Sequence, residues 1–194
     1  MDNRILTTID YIKLENIPAT LNIASSELGS DYLTETDFLE TLNTDDSFCM
    51  LSTHNGVVSG FSICKIFGPE KIDEMLALPD CDEKSILMKF KTIGLIDSVA
   101  VAHEMKGKGI GGELLDACYK ELVSRGAKVI CAMAWKGVNG ITNIEGILVR
   151  LGMLPHVEIK GYWNRFVPSP EGHACPICGR PCKCSAVLYL KKSS

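Results

Sequence analysis

Two clusters in this sequence carry residue types and spacings that can do chemistry. The first, Lys106-Gly107-Lys108-Gly109-Ile110-Gly111-Gly112, places glycines at alternate positions with a fourth adjoining, directly before a helical pattern. Backbone amides that no Cβ shields, opening into a helix N-terminus, suit a pyrophosphate, and the two lysines add positive charge where a polyanion would lie. The plain alternative is a sharp strand-to-helix turn, but the glycine density favours the anion site. The second cluster is Cys175-Pro176-Ile177-Cys178-Gly179-Arg180-Pro181-Cys182-Lys183-Cys184: C-x-x-C, three residues, then C-x-C. A C-x-x-C-Gly turn aims two thiolates and several amides at one ion, and Cys182 and Cys184 complete a tetrahedral shell suited to structural zinc. The same ligands allow an iron–sulfur cluster or disulfides, and His173 is available to replace one thiolate. A closed four-thiolate shell leaves no position for substrate, so catalysis is not expected there.

Other phosphate-binding patterns compete for the glycine turn. Gly107, Gly109 and Gly112 satisfy G-x-G-x-x-G, but a dinucleotide site calls for an acidic residue at the end of the next strand. That strand ends Ala132-Met133-Ala134-Trp135-Lys136, without a carboxylate. The Walker pattern fails as well, because no Lys-Ser/Thr pair follows the last glycine.

The elements that must position these clusters are readable from periodicity. A strand near Tyr11–Leu14 precedes a helix over Ile17–Leu28, stopped by Gly29, and Thr34-Glu35-Thr36-Asp37 opens a second helix. Apolar runs 47–53 and 56–67, with Asn55-Gly56 between them, read as a hairpin. Residues 68–89 form an irregular insertion with a turn or two of helix around 71–78. A strand over Thr92–Val101 leads through the glycine turn into a helix whose apolar face is Leu114, Leu115, Cys118, Leu122 and Val123, ending at Gly126. Lys128–Trp135 is a strand covered on both faces. Thr142-Asn143-Ile144-Glu145 reads as a capping box for a helix ending at Gly152. Strands over Val157–Asn164 and Ala186–Leu190 complete the chain, with a cysteine-rich insertion over 168–185 between them. The 194 residues, 46% hydrophobic and 23% charged, fit a single domain. A net charge of −4 leaves no footprint for nucleic acid. The opening Met1–Asp10 lacks a signal-peptide pattern and no apolar run spans a bilayer, so neither membrane insertion nor secretion is expected, and the location is read as cytoplasmic. Of nine cysteines, Cys49, Cys64, Cys81, Cys118 and Cys131 read as scattered, mostly buried thiols.

Lys106-Gly107-Lys108-Gly109-Ile110-Gly111 resembles, in register, the coenzyme motif Arg/Gln-x-x-Gly-x-Gly/Ala of the GNAT acetyltransferase superfamily, with Lys in place of Arg or Gln. Ile96 through Glu104 looks like that family's fourth strand and its approach to the loop, and Asn143 with Leu151-Gly152-Met153 resembles its next helix, at shorter spacing. The element order β-α-α-β-β-β-α-β-α-β-β is also the family's. The likeness is specific over 92–153 and topological before it. It implies an α+β fold, a mixed central sheet flanked by helices, here with a small C-terminal zinc-binding loop, and acetyl-CoA as co-substrate. By the same resemblance, Val99, Ala100 and Val101 would meet the pantetheine arm, the amides from Gly107 to Gly112 would hold the pyrophosphate, and Asn143 would join the coenzyme site.

The implied reaction is attack of a neutral primary amine on a thioester. It needs a base, an oxyanion donor and an acid for the departing thiolate. By the same resemblance, a backbone amide at a bulge of the fourth strand would serve the oxyanion. Asp97 is the candidate base, directly or through water, against the plain reading of a solvated strand residue. The family often places the acid tyrosine in the helix after Thr142, where Leu148 stands here; Tyr119 and Tyr162 are the nearest alternatives. That departure keeps a second reading open, a catalytically idle fold that binds acyl-CoA as a ligand or as a metal- or redox-responsive sensor. The acceptor, whether small molecule or peptide amine, and the oligomeric state, a homodimer included, stay open.

Overall fold

The computed structural model describes residues 7–167 and 170–193. The expected start of the cysteine-rich insertion, at 168, and the first six residues lie outside them. The described elements run β1 (Thr7–Tyr11), α1 (Ile17–Leu28), α2 (Glu35–Asn43), β2 (Ser47–His54), β3 (Val57–Phe67), α3 (Ile72–Leu76), α4 (Asp82–Leu87), β4 (Ile93–Val101), α5 (Ile110–Ser124), β5 (Val129–Lys136), α6 (Glu145–Arg150), β6 (Leu154–Lys160) and β7 (Ser185–Lys192). They build one mixed sheet in the order β1-β2-β3-β4-β5-β7-β6, in which β4 and β5 are parallel and the other neighbours antiparallel.

Local chemistry sets most of these boundaries. Asn55 and Gly56 take φ of 51° and 78°, the left-handed pair that closes a two-residue hairpin between β2 and β3. Asp37 accepts hydrogen bonds from the Thr34 amide and hydroxyl at 2.7 and 2.6 Å, capping α2. The α5 stripe Ile110, Leu114, Leu115, Cys118 and Leu122 is buried against one sheet face with Ile96, Ile130 and Ala132. Both α5 and α6 end on left-handed glycines. Ala127 N donates to Leu122 O, and Met153 N to Leu148 O, the six-to-one bond that closes a helix C-terminus. Lys191 adds an ammonium at 2.7 Å from Leu151 O. The opposite face carries α1 and α2 around Phe38 and Phe61, whose rings meet edge to face at 5.3 Å. Further along that face, α3, α4 and the cysteine loop cover β5, β6 and β7.

Three expectations need correction. Thr142 does not cap α6: Glu145 N bonds to the Thr142 carbonyl, and the helix begins after Ile144 with no side-chain cap. The strand expected at 157–164 is β6, ending at Lys160, because Gly161 at φ 63° turns the chain into a 3-10 turn over Tyr162–Phe166. Pro155 fits there because β6 is a sheet edge. The first strand ends at Tyr11, beyond which Leu14–Asn16 forms a 3-10 turn.

Candidate functional site

The site begins with a break in the sheet. Between β3 and β4, Ile63 pairs with Ser98 and Cys64 with Ile96, so Asp97 is the extra residue of a bulge. A bulge bends its strand and reverses the facing of the residues beyond it. Before it, Ile93 and Leu95 face the α3 side; after it, Val99 and Val101 pack on the α5 side. The bent strand leaves its other neighbour: β4 pairs with β5 only from Ile93–Ile96 to Val129–Ala132, while β5 continues along β7 as far as Lys136. A cavity of about 580 Å³ opens between the diverging strands.

One end of this cavity is the glycine turn. Gly107 and Gly109 have φ of 77° and 86°, and a Cβ on either would meet nothing within 4 Å, so their glycine character serves backbone conformation and an open approach. Gly109 is the N-cap of α5, and the amides of Ile110 and Gly111 have no helical carbonyl one turn behind them. Gly112 meets a different constraint. An added Cβ would collide with the Arg150 guanidinium, which lies over the first turn of α5 and lines the same cavity.

Of the residues expected at a coenzyme site, Val99, Ala100, Val101, Lys106, Gly107, Gly109, Ile110, Gly111, Gly112 and Asn143 all line the cavity. Lys108 is not among its lining residues; its ammonium lies 3.3 Å from the Met105 sulfur. The Lys106 ammonium is paired with Glu27 of α1, which His103 also approaches at 3.9 Å. The loop is thereby tied to α1, and among the described residues Arg150 is the cation that lies over the α5 terminus without an ion-pair partner.

The other end is aromatic. Tyr32, Met133, Trp135, Trp163 and Ile177 line it, with Asp97 and Ser98 at its inner edge. Asp97 is partly exposed, accepts from Ser98 Oγ at 3.3 Å and stands 3.6 Å from Lys65 Nζ. Tyr32 lies beside Ser98, and burial, reinforced by the Asp97 charge, pushes its phenol well above the ordinary value, so it is protonated at neutral pH. Neither tyrosine considered from sequence reaches the cavity. Tyr162 donates to Leu76 O at 2.8 Å, and Tyr119 lies under Lys191, whose ammonium is 4.2 Å from the ring centroid. Leu148, at the expected tyrosine position, is fully buried. Sequence reasoning missed Tyr32, Arg150 and Trp163 because their approach to the site is set by tertiary packing; Tyr32 sits in the connection between α1 and α2, with no local pattern.

The cysteine loop closes beside this aromatic end. The sulfurs of Cys175, Cys178, Cys182 and Cys184 all lie within 4.8 Å of one another. Separations of 3.8 Å (Cys175–Cys184), 3.9 Å (Cys178–Cys182) and 3.6 Å (Cys178–Cys184) far exceed a disulfide bond. A tetrahedron with metal–sulfur bonds of about 2.3 Å has edges of about 3.8 Å, so the donors match a single tetrahedral ion. Thiolates around a multi-iron cluster stand farther apart, since the cluster lies between them. Amides of Ile177 and Cys178 donate to the Cys175 sulfur at 3.3 Å, and that of Lys183 to the Cys178 sulfur at 3.1 Å. Burial opposes ionisation of Cys178, but the Lys183 amide and neighbouring thiols bring it down to about 7.

Residues 17–138 match the family model described as "Acetyltransferase (GNAT) family". The chain belongs to the GNAT acetyltransferase family. Solved structures agree at the level of fold. The Arabidopsis thaliana NAA60 structure, in complex with acetyl-CoA, is 12% identical with TM-score 0.67, over 96% of this chain and 98% of that one. The Escherichia coli ribosomal-protein-S18-alanine N-acetyltransferase is 15% identical with TM-score 0.64, over 97% and 95%. A Drosophila melanogaster polyamine N-acetyltransferase is 11% identical with TM-score 0.63, over 97% and 100%. No curated protein matches the chain. As a GNAT enzyme this protein is an acetyltransferase, and no helix among its described residues is long and apolar enough to cross a membrane.

Proposed function

We propose that this GNAT protein transfers an acetyl group from acetyl-CoA to a primary amine by direct attack in a ternary complex. The observation that carries the reading is the parting of β4 from β5 after Ile96, with open α5 amides at one end of the resulting cavity and Asp97 at the other. The unpaired edge of β4 along Val99–Val101 offers backbone groups to a pantetheine arm. The open amides of Gly107–Gly111, under Arg150, take the pyrophosphate. Asp97 accepts the ammonium proton, directly or through water, and the neutral amine attacks the thioester carbonyl. A backbone amide of the opened β4 stretch holds the oxyanion, and collapse breaks the carbon–sulfur bond while the nitrogen gives its second proton to solvent. Tyr32, protonated and beside Ser98, gives its proton to the departing thiolate and regains one from solvent.

The four cysteines hold a structural zinc ion in this reading, supported by their sulfur spacing and the amides directed at them. Two measurements test the whole. Mass spectrometry of an amine panel incubated with acetyl-CoA should show products heavier by one acetyl group, and metal analysis should give one zinc per chain. Tight acetyl-CoA binding without turnover on any amine would favour an acyl-CoA sensor instead.

A further inference from the structure

The cysteine loop reaches the cavity through a single described side chain. Ile177, between the first two cysteines, is itself a lining residue. Asp31, the neighbour of Tyr32, fastens the loop from the other side: its carboxylate accepts from His173 Nδ1 at 3.2 Å, from the Ala174 amide at 3.3 Å and from the Arg180 guanidinium. Burial works to raise the Asp31 carboxyl, yet the Ala174 amide, Arg180 and His173 together hold it below its ordinary value. His173 is fully buried, its ring 5.4 Å from that of Tyr32 and 5.6 Å from that of Trp135. Asn164 clips both ends of the loop, accepting from the His173 and Cys182 amides at 2.9 and 3.0 Å. The residues that hold the four sulfurs together thus also support the aromatic end of the cavity.

We propose that the metal-held loop from Cys175 to Cys184 is the outer wall of the acceptor pocket, so that bound metal controls acceptor binding and selects an amine carried on an apolar or aromatic group. Tyr32, Trp135, Trp163 and Ile177 offer rings and an aliphatic branch, and Asp97 is the one carboxylate among the described lining residues at that end. Glu27, the other lining carboxylate, is spent on Lys106 at the coenzyme end. A linear polyamine would leave its distal charge against apolar wall, whereas a phenylethyl or hexyl chain would replace water there. The inference rests on the transferase and zinc readings above, and its test separates them.

The full-length protein is compared with Ile177→Asp, a change that touches no thiolate, using phenethylamine and cadaverine as acceptors and mass spectrometry of the products. The expected result is a fall of about tenfold in kcat/KM for phenethylamine with cadaverine improved relative to it, and unchanged zinc content and acetyl-CoA affinity. Unaltered selectivity overturns the wall. In parallel, zinc is removed by chelation while the emission of the two tryptophans, Trp135 and Trp163, is followed. Emission should shift to the red with acetyl-CoA affinity retained. Unchanged emission after proven zinc loss, or acetyl-CoA affinity lost in step with it, overturns control of the acceptor end by the metal. Because emission needs no turnover, failure of every amine to react counts against the transferase reading alone, and a chain purified without metal counts against the zinc.

Discussion

The Arg150 guanidinium lies against the backbone of Gly112, in the space a side chain there would fill. Arg150 ends α6 and Gly112 lies in the first turn of α5, so one contact places a cation over the open end of a helix. Arg150→Ala should weaken acetyl-CoA binding about tenfold with little change in unfolding temperature, since the side chain is exposed. Gly112→Ala should weaken it too, by pushing the guanidinium aside. Calorimetric titration with acetyl-CoA checks both, and unaltered affinity in Arg150→Ala would remove the arginine from the coenzyme site.

Asp97→Asn keeps the bulge and the volume of the side chain while removing the base. We expect kcat to fall about a hundredfold or more at neutral pH, with acetyl-CoA affinity preserved. An activity within a factor of two of the parent would mean that the amine loses its proton elsewhere.

Tyr32→Phe retains the ring that packs on Trp163 at 6.0 Å and on His173, and removes only the hydroxyl. The expected loss is about tenfold in kcat, because water can reprotonate a coenzyme thiolate, with KM for the acceptor nearly constant. A rise in KM alone would assign the hydroxyl to acceptor binding.

Glu121 joins α5 to the first strand. Tyr11 hydrogen-bonds to its carboxylate and Arg125 Nε donates at 2.6 Å, and these hold its pKa below the ordinary value. A carboxyl depressed in the folded state adds stability above its unfolded pKa of about 4.3 and loses it as pH falls through the folded value. Glu121→Gln should therefore cost about 0.5–1 kcal/mol at pH 7, and the difference should vanish in acid below that lowered pKa. Urea titrations at the two pH values check the sign; a difference that persists in acid would locate the effect in packing.

What was legible in the sequence was what a short window contains. Asn55-Gly56, the Thr34–Asp37 cap, the α5 stripe, the glycine turn and the cysteine spacing each carry their own geometry. A bulge in the fourth strand is implied by the family resemblance, but its position at Asp97 could not be read, because it is a relation between two strands: Ile93 to Val101 alternates acceptably by itself, and only the register against Ile63 and Cys64 shows the extra residue. Arg150 and Tyr32 approach the site through packing between helices and sheet, which leaves no trace in local spacing. Thr142-Glu145 shows the opposite error, a local signature satisfied by a backbone turn instead of a cap.

The junction of β4 and β5 has a mechanical consequence. Four residue pairs, from Ile93–Val129 to Ile96–Ala132, form the seam in the strand ladder between β1–β4 and β5–β7. The sheet is two half-sheets hinged on that seam, and a ligand lying in the gap adds the missing rungs. Filling the cavity should stiffen the molecule across its middle, slowing amide exchange in Asp97–Val101 and Met133–Lys136 together while the outer strands exchange as before.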